Sequence, residues 1–341
     1  MQGAVRAAVD VGSGSTKLVV ARLAQKAGGL AIDEVLLHRE TEVLLAHALE
    51  SSTSKAEGGE TATAAGEGEI GAVALQECRD ALQEYKKAAL DLGAPNLEGV
   101  GTAVFRLAKD GPAFLDALRE QDDINVRLIS QAEEGKLGWA TACAVTGMSP
   151  SEEAAKDLVC WDSGGGSFQL SWNQGSQLFK GPMGTSTVTA ALVRLQGREF
   201  SSAVSPNPVQ ASHVDGLRDF IRKTLEPLDK GDCPIGSETS RVVAIGGDTC
   251  AFNIARLAIG SDAAPHVVQR EALDAAIGRH LNLDDEALIG LGYTRALQPS
   301  MVVSKLVLVS TVMEIFNVKA FEYCPSTGSC LGVLLSQAAA A

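Results

Sequence analysis

One short design occurs twice in this chain, and it limits the fold more than any other feature. Residues 7–20 read AAVDVGSGSTKLVV and residues 158–172 read LVCWDSGGGSFQLSW. Each is an apolar strand ending in an aspartate, a turn of glycine and serine, and a second apolar strand. We treat the pair as an internal repeat of supersecondary structure, not of full sequence. It implies an α/β chain of two similar domains with a cleft between them. The 341 residues, 45% of them apolar, are too many for one ordinary core and sufficient for two.

In the first half, strands Ala4–Asp10 and Lys17–Leu23 form a hairpin around Gly12–Ser15, followed by short strands at Leu30–Glu34 and Leu36–Thr41. Residues 51–69 offer no core-forming run and read as a flexible insertion. Apolar residues at helical spacing mark a helix over Ala72–Leu92, stopped by Gly93. A strand at Leu97–Thr102, a helix at Ala113–Glu120, a strand at Val126–Ser130 and a helix at Ala132–Thr146 follow. Beyond the second repeat, Val242–Ile245 is a strand, Cys250–Leu257 a helix, and Asp274–His280 and Lys305–Phe316 later helices. The domains are placed at 1–127 and 128–341, with the last helix free to pack back on the first.

The two turns have the composition of phosphate loops. Glycines let the backbone approach a ligand, and a run of small residues aims several N–H groups inward. In the first loop Ser13, Gly14, Ser15 and Thr16 supply donors and Lys17 a positive charge; in the second, Gly164, Gly165, Gly166 and Ser167 do the same without a cation. Asp10 and Asp162, each at a strand end, are placed to hold a divalent cation through water. A plain glycine-rich hairpin with a capping aspartate explains the first loop alone equally well; the three consecutive glycines of the second point more strongly to close backbone approach, and two such loops in one chain are much less expected by chance. Gly246 and Gly247, before a helix, favour a phosphate or carboxylate, although Asp248 and Thr249 read first as N-caps. Glu133 and Glu134 open the helix after Val126–Ser130. Ser130 and Glu133 form a capping box, which leaves Glu134 free to act as a general base. Arg106 could clamp phosphate, but spacing alone ranks a surface salt bridge first.

A net charge of −13 gives no non-specific attraction to nucleic acid, so that partner is not expected. It also means that a phosphate-rich substrate needs locally concentrated positive charge or a metal ion. Seven cysteines without a CxxC pair argue against both a disulfide framework and a zinc site. The N-terminus has no extended apolar run of a signal peptide, and the longest apolar run, near Met301–Val312, reads as a buried helix. The expected location is cytoplasmic, with no membrane partner.

In order and spacing, Asp10-Val-Gly-Ser-Gly-Ser, Gly-Thr-Ala-Val-Phe-Arg106, Ile-Ser-x-x-Glu-Glu134, Asp162-Ser-Gly-Gly-Gly-Ser and Gly246-Gly247 resemble the exopolyphosphatase/guanosine pentaphosphate phosphohydrolase (Ppx/GppA) family, over about residues 5 to 335. The resemblance implies two ribonuclease-H-like domains of the actin/acetate-and-sugar-kinase superfold. It implies stepwise hydrolysis of a terminal phosphate of polyphosphate or guanosine pentaphosphate, with Mg²⁺ or another divalent cation. Glu134 is the implied base, Asp10 and Asp162 the strand-end acids, and Arg106 a phosphate ligand. It resembles the short, two-domain form, and a homodimer is allowed by analogy.

Gly14 stands where the family has Asn, Gln131 where it has Gly, and Gly328-Ser-Cys-Leu-Gly332 where it has Gly-Leu-Arg-Glu-Gly, which removes two charges. The stretch Glu133–Trp139 also resembles the apyrases, so nucleotide hydrolysis is the runner-up. A non-catalytic polyphosphate or alarmone sensor and a kinase of the same superfold are the remaining readings.

Overall fold

Alternating burial along the apolar strands, and the helices between them, build two sheets. The computed structural model describes residues 3–26, 29–53, 68–148, 155–201, 203–237 and 240–336. The first half contains β1 (Val5–Val11), β2 (Ser15–Lys26), β3 (Gly29–Glu42), α1 (Leu45–Thr53), α2 (Ala72–Asp91), β4 (Leu97–Gly101), α3 (Ala103–Leu107), α4 (Gly111–Asp122) and β5 (Asn125–Leu128). Its sheet has the order β3-β2-β1-β4-β5. The hairpin pairs are antiparallel, and β1, β4 and β5 run parallel.

The second half begins with α5 (Gln131–Thr146), then β6 (Leu158–Ser163), β7 (Phe168–Trp172), β8 (Gln177–Gly181), α6 (Thr185–Leu195), α7 (Ala211–Leu225), β9 (Arg241–Gly246) and α8 (Ala251–Ile259). It continues with β10 (His266–Gln269), α9 (Arg270–His280), α10 (Asp285–Gly290), α11 (Val302–Ile315), β11 (Ala320–Pro325) and α12 (Cys330–Ser336). Its sheet, read from one edge, is β8-β7-β6-β9-β11-β10. Two antiparallel pairs followed by two parallel ones reproduce the first sheet, and β10 adds an antiparallel edge strand. The internal repeat therefore extends from the hairpins to the whole sheet topology.

Two expectations change. The strands placed at 30–34 and 36–41 are one strand, β3, whose register against β2 shifts between Val20 and Ala21 and again between Arg22 and Leu23. Because β3 is an edge strand, exposed Asp33 and Glu34 interrupt the hydrophobic alternation without ending the pairing. Of the insertion placed at 51–69, residues 54–67 lie outside the described residues, 51–53 end α1, and Gly68 bridges Ala108.

Each sheet buries both faces. Beneath the first, Val9, Val11, Leu18 and Val20 pack with Leu82 and Tyr85 of α2 and Leu115 and Leu118 of α4. Beneath the second, Trp161, Phe168, Phe252 and Phe321 form an edge-to-face aromatic cluster continuous with α11. The stretch Arg295–Ile315 is long and apolar enough to cross a membrane, yet 83% of its most apolar window is buried in this core.

The opposite faces turn toward α5 and α12. Leu137 of α5 and Cys330, Val333 and Leu334 of α12 meet Ala8, Val19 and Ala21 of the first sheet. Trp139, Ala142 and Cys143 of α5 meet Cys160, Val243 and Ile245 of the second. A Cβ at Gly332 would lie 2.2 Å from the Leu137 carbonyl oxygen, so α12 needs glycine there to seat on α5.

Candidate active site

The period of two in β1 and β2 decides which side chains reach the cleft. Ala8 faces the α5–α12 layer, so Asp10 does too; Val19 and Ala21 face the same way, so Lys17 and Ser15 follow. The register pairs Asp10 with Lys17 and Lys17 with Glu40, making a carboxylate–ammonium–carboxylate row across three strands. Thr16 falls on the other face, with the core residues Leu18 and Val20, and its hydroxyl lies 3.9 Å from Cys78 Sγ. The expectation that Thr16 contributes to the loop is therefore corrected by strand parity.

The two glycine turns have the same internal geometry. Gly12 N–H donates to Ser15 O at 3.0 Å, and Gly164 N–H donates to Ser167 O at 2.9 Å. The carbonyls of both are tied to the helix that follows. Ser13 O accepts from Ala46 N–H in α1 at 2.8 Å, and Gly164 O and Gly165 O accept from Thr185 and Ser186 N–H in α6 at 3.0 and 2.9 Å. The N–H groups of Ser13, Gly14, Gly165 and Gly166 have no backbone partner among the described residues. The turns face one another: a Cβ at Gly165 would lie 2.9 Å from Ser13 Cβ, and one at Gly166 3.4 Å from Ser13 Oγ. Two donor-lined loops therefore close on one space.

That space is a small cleft between the two sheets. Its lining includes Asp10, Ser13, Gly14, Ser15, Lys17, Glu134, Asp162, Gly164, Gly165, Ser167, Gly246 and Gly247. Gly166 packs on the first loop without lining the cleft. Glu40, Thr102, Ser186, Gln298 and Gly328 line it as well; of these only Thr102 and Gly328 lie in segments that the sequence marks, and it gives neither a role. Ser186 is held by His47, whose Nδ1 lies 2.9 Å from the hydroxyl. Burial, helped by Lys305, lowers the His47 pKa to about 4, so the ring is neutral at physiological pH. Gly328 has a φ of 57° and sits so close to Asp10 that a Cβ would lie 2.3 Å from Oδ2; Ser329 N–H donates to that oxygen at 2.7 Å.

Glu133 and Glu134 diverge as helix geometry requires. Ser130 Oγ accepts from Glu133 N–H at 3.2 Å, and the Glu133 carboxylate pairs with Arg127 on the outside. Glu134 points inward and is only 8% exposed. Burial raises its pKa to about 8; Arg106 opposes the rise, and Asp162 and Asp10 add to it. Arg106 is not an open phosphate clamp. The short α3 turns it toward the β5–α5 junction, where Nη1 donates to Ile129 O at 2.8 Å and Nη2 to Glu134 Oε2 at 2.9 Å. The pair is part-buried, unlike the surface salt bridge that spacing ranks first, and Arg106 is not among the residues that line the cleft.

Asp162 is also raised, to about 6, by burial and by Asp10, with Lys17 opposing. Burial alone would lower the Lys17 pKa, but Asp10, Glu40 and Asp162 together raise it, so its ammonium stays charged. Four carboxylates, Asp10, Glu40, Glu134 and Asp162, thus share the lining with one lysine.

The Ppx/GppA phosphatase family model matches residues 41–340. The chain belongs to the Ppx/GppA family. Among solved structures, a family member from Aquifex aeolicus is 18% identical, with a TM-score of 0.68, covering 99% of this chain and 98% of that one. An exopolyphosphatase-like protein is 16% identical at a TM-score of 0.73, covering 99% and 98%. An exopolyphosphatase from Cytophaga hutchinsonii is 14% identical at 0.71, covering 98% of each chain. At these identities the structures speak for the fold. No curated protein matches the chain.

Proposed function

We propose that this chain hydrolyses terminal phosphoanhydride bonds of inorganic polyphosphate or guanosine pentaphosphate, releasing orthophosphate. The observation that carries the reading is the pair of facing glycine turns, whose N–H groups have no backbone partner among the described residues, beside a buried carboxylate that is not an ordinary surface acid. The N–H groups of Ser13, Gly14, Gly165 and Gly166, with Lys17, would hold the terminal phosphate. Glu134, once ionised, would take a proton from a water placed in line with the leaving oxygen. Arg106 would favour that ionised form and fix the carboxylate.

The acid surplus of the lining fits a divalent cation as cofactor. Among the described residues no group of three or more His, Cys, Asp or Glu side chains is gathered to hold a metal directly. That donor set suits Mg²⁺, which keeps most of its waters and takes one or two carboxylates plus substrate phosphates. Asp10 and Asp162 would hold it. When bound, it would neutralise phosphate charge that one lysine cannot balance.

The test is phosphate release by the purified protein with Mg²⁺ from long polyphosphate, tripolyphosphate, guanosine pentaphosphate and ATP, alongside Glu134→Gln. Release from polyphosphate or the pentaphosphate, lost in the variant, supports the reading. Release mainly from ATP moves the chain to nucleotide hydrolysis. Release from none, with binding retained, makes it a sensor.

A further inference from the structure

The third glycine loop already holds an anion, and that anion comes from the other sheet. Glu40, near the end of β3, reaches across the cleft to Gly246–Thr249. Its Oε1 accepts from Ser15 Oγ at 2.7 Å and from Thr249 Oγ1 at 3.2 Å, and its Oε2 accepts from Asp248 N–H at 3.1 Å. A Cβ at Gly247 would lie 2.0 Å from Oε2, so the loop closes on this carboxylate with no space for a side chain. The nearby ammonium of Lys305 is committed elsewhere, to Thr249 O at 2.7 Å and Gln298 Oε1 at 2.6 Å. Glycine-turn donors before a helix suit a phosphate oxygen or a carboxylate, and here the chain supplies its own.

We propose that Glu40 is a specificity-determining residue: it fills the third loop, so that the terminal phosphate is held by the first two and the phosphates behind it are kept out of the third. The proposal rests on the cleft being a phosphate site, as argued above. A polyanion long enough to reach Gly246–Thr249 meets a negative carboxylate and must displace it from three donors. Like charges set face to face across a binding site disfavour the complex strongly. The native chain therefore discriminates against a ligand that places a second phosphate at this end, and the discrimination depends on the charge of one side chain.

The experiment is calorimetric binding of orthophosphate and of tripolyphosphate, at a fixed excess of Mg²⁺, to the full chain and to Glu40→Gln and Glu40→Ala. The expected result is a rise of roughly tenfold in the ratio of tripolyphosphate to orthophosphate affinity in both variants, as removal of a like-charge contact predicts. Glu40→Gln keeps the side chain's shape and is the deciding variant if alanine perturbs the fold. A ratio that is unchanged or falls, with orthophosphate still bound, overturns the role of Glu40 and leaves the phosphate site standing. Failure of all three proteins to bind either anion overturns both.

Discussion

Removing Arg106 is the most exacting test of the reading of Glu134. Two forces act on this carboxylate. Burial drives its pKa from the ordinary 4.5 to about 8, and Arg106, at 2.9 Å, holds it from going further. An opposite charge at this range is worth roughly 1–3 pKa units. Arg106→Ala should therefore carry Glu134 to roughly 9 or above, and at pH 7.5 reduce its ionised fraction by about tenfold or more. The assay is phosphate release against pH from 6 to 10. Wild type rises through an inflection near 8, and Arg106→Ala moves that inflection to the alkaline side. Arg106→Lys, which keeps the charge, moves it less. Stability supplies a readout free of turnover. The folded-state pKa lies above the unfolded one, so the folded chain binds this proton more tightly and loses stability as pH rises from about 4.5 to about 8. Glu134→Gln should flatten that part of a denaturation-against-pH curve. An inflection that stays put or moves to acid in Arg106→Ala would refute the electrostatic account.

Other outcomes follow from the same geometry. A Cβ at Gly184 would stand 2.3 Å from Gly164 O, so Gly184→Ala should cost on the order of 1–3 kcal/mol in chemical denaturation and weaken phosphate binding together. Lys17→Met leaves the cleft with four carboxylates and no ammonium, and should weaken orthophosphate binding by about tenfold or more in calorimetry while pushing Asp162 further up. Ser186→Ala and His47→Ala should each weaken phosphate binding by roughly 3- to 10-fold, the loss of one hydrogen bond. The His47→Ala factor should be the same at pH 6 and pH 9, because the ring is already neutral across that range.

The two turns and most of the elements around them were legible because glycine runs, strand-end acids and the apolar period are local signals. The helix at 72–91 and the strands β1, β4, β6 and β9 are of that kind. The sequence reading does not include the short helices α1, α6 and α12 or the longer α7; α6 and α12 are largely buried and lack a polar stripe, whereas Val214, Leu217, Ile221 and Leu225 give α7 a helical period that was there to read. Thr16 was misplaced although the information was present: in a strand its neighbours Ser15 and Lys17 must face the opposite way. Glu40 had only a faint signal, its register with Lys17, which becomes visible once β2 and β3 are aligned as a hairpin. Ser186 gave none, since it reaches the cleft through contacts between segments far apart in sequence, and Gly328 showed only as part of a segment that departs from the family pattern. Arg106 stands out in the sequence, but its contact with Glu134 does not, because a motif records which residue is present and not which neighbour it meets.

The contact between Ser329 and Asp10 spans 319 positions of the chain. Asp10 leaves the ribosome 319 residues ahead of the Ser329 that caps it, and ahead of the helix α12 that packs on α5. At about 5–20 residues per second, roughly a quarter of a minute to a minute separates the two. Throughout that interval the first sheet can form, but its acid row lacks its lid and its outer face lacks Val333 and Leu334. The nascent chain therefore carries an exposed apolar sheet face and an unfinished cleft, and ligand binding should emerge only as synthesis reaches the turn at Gly328.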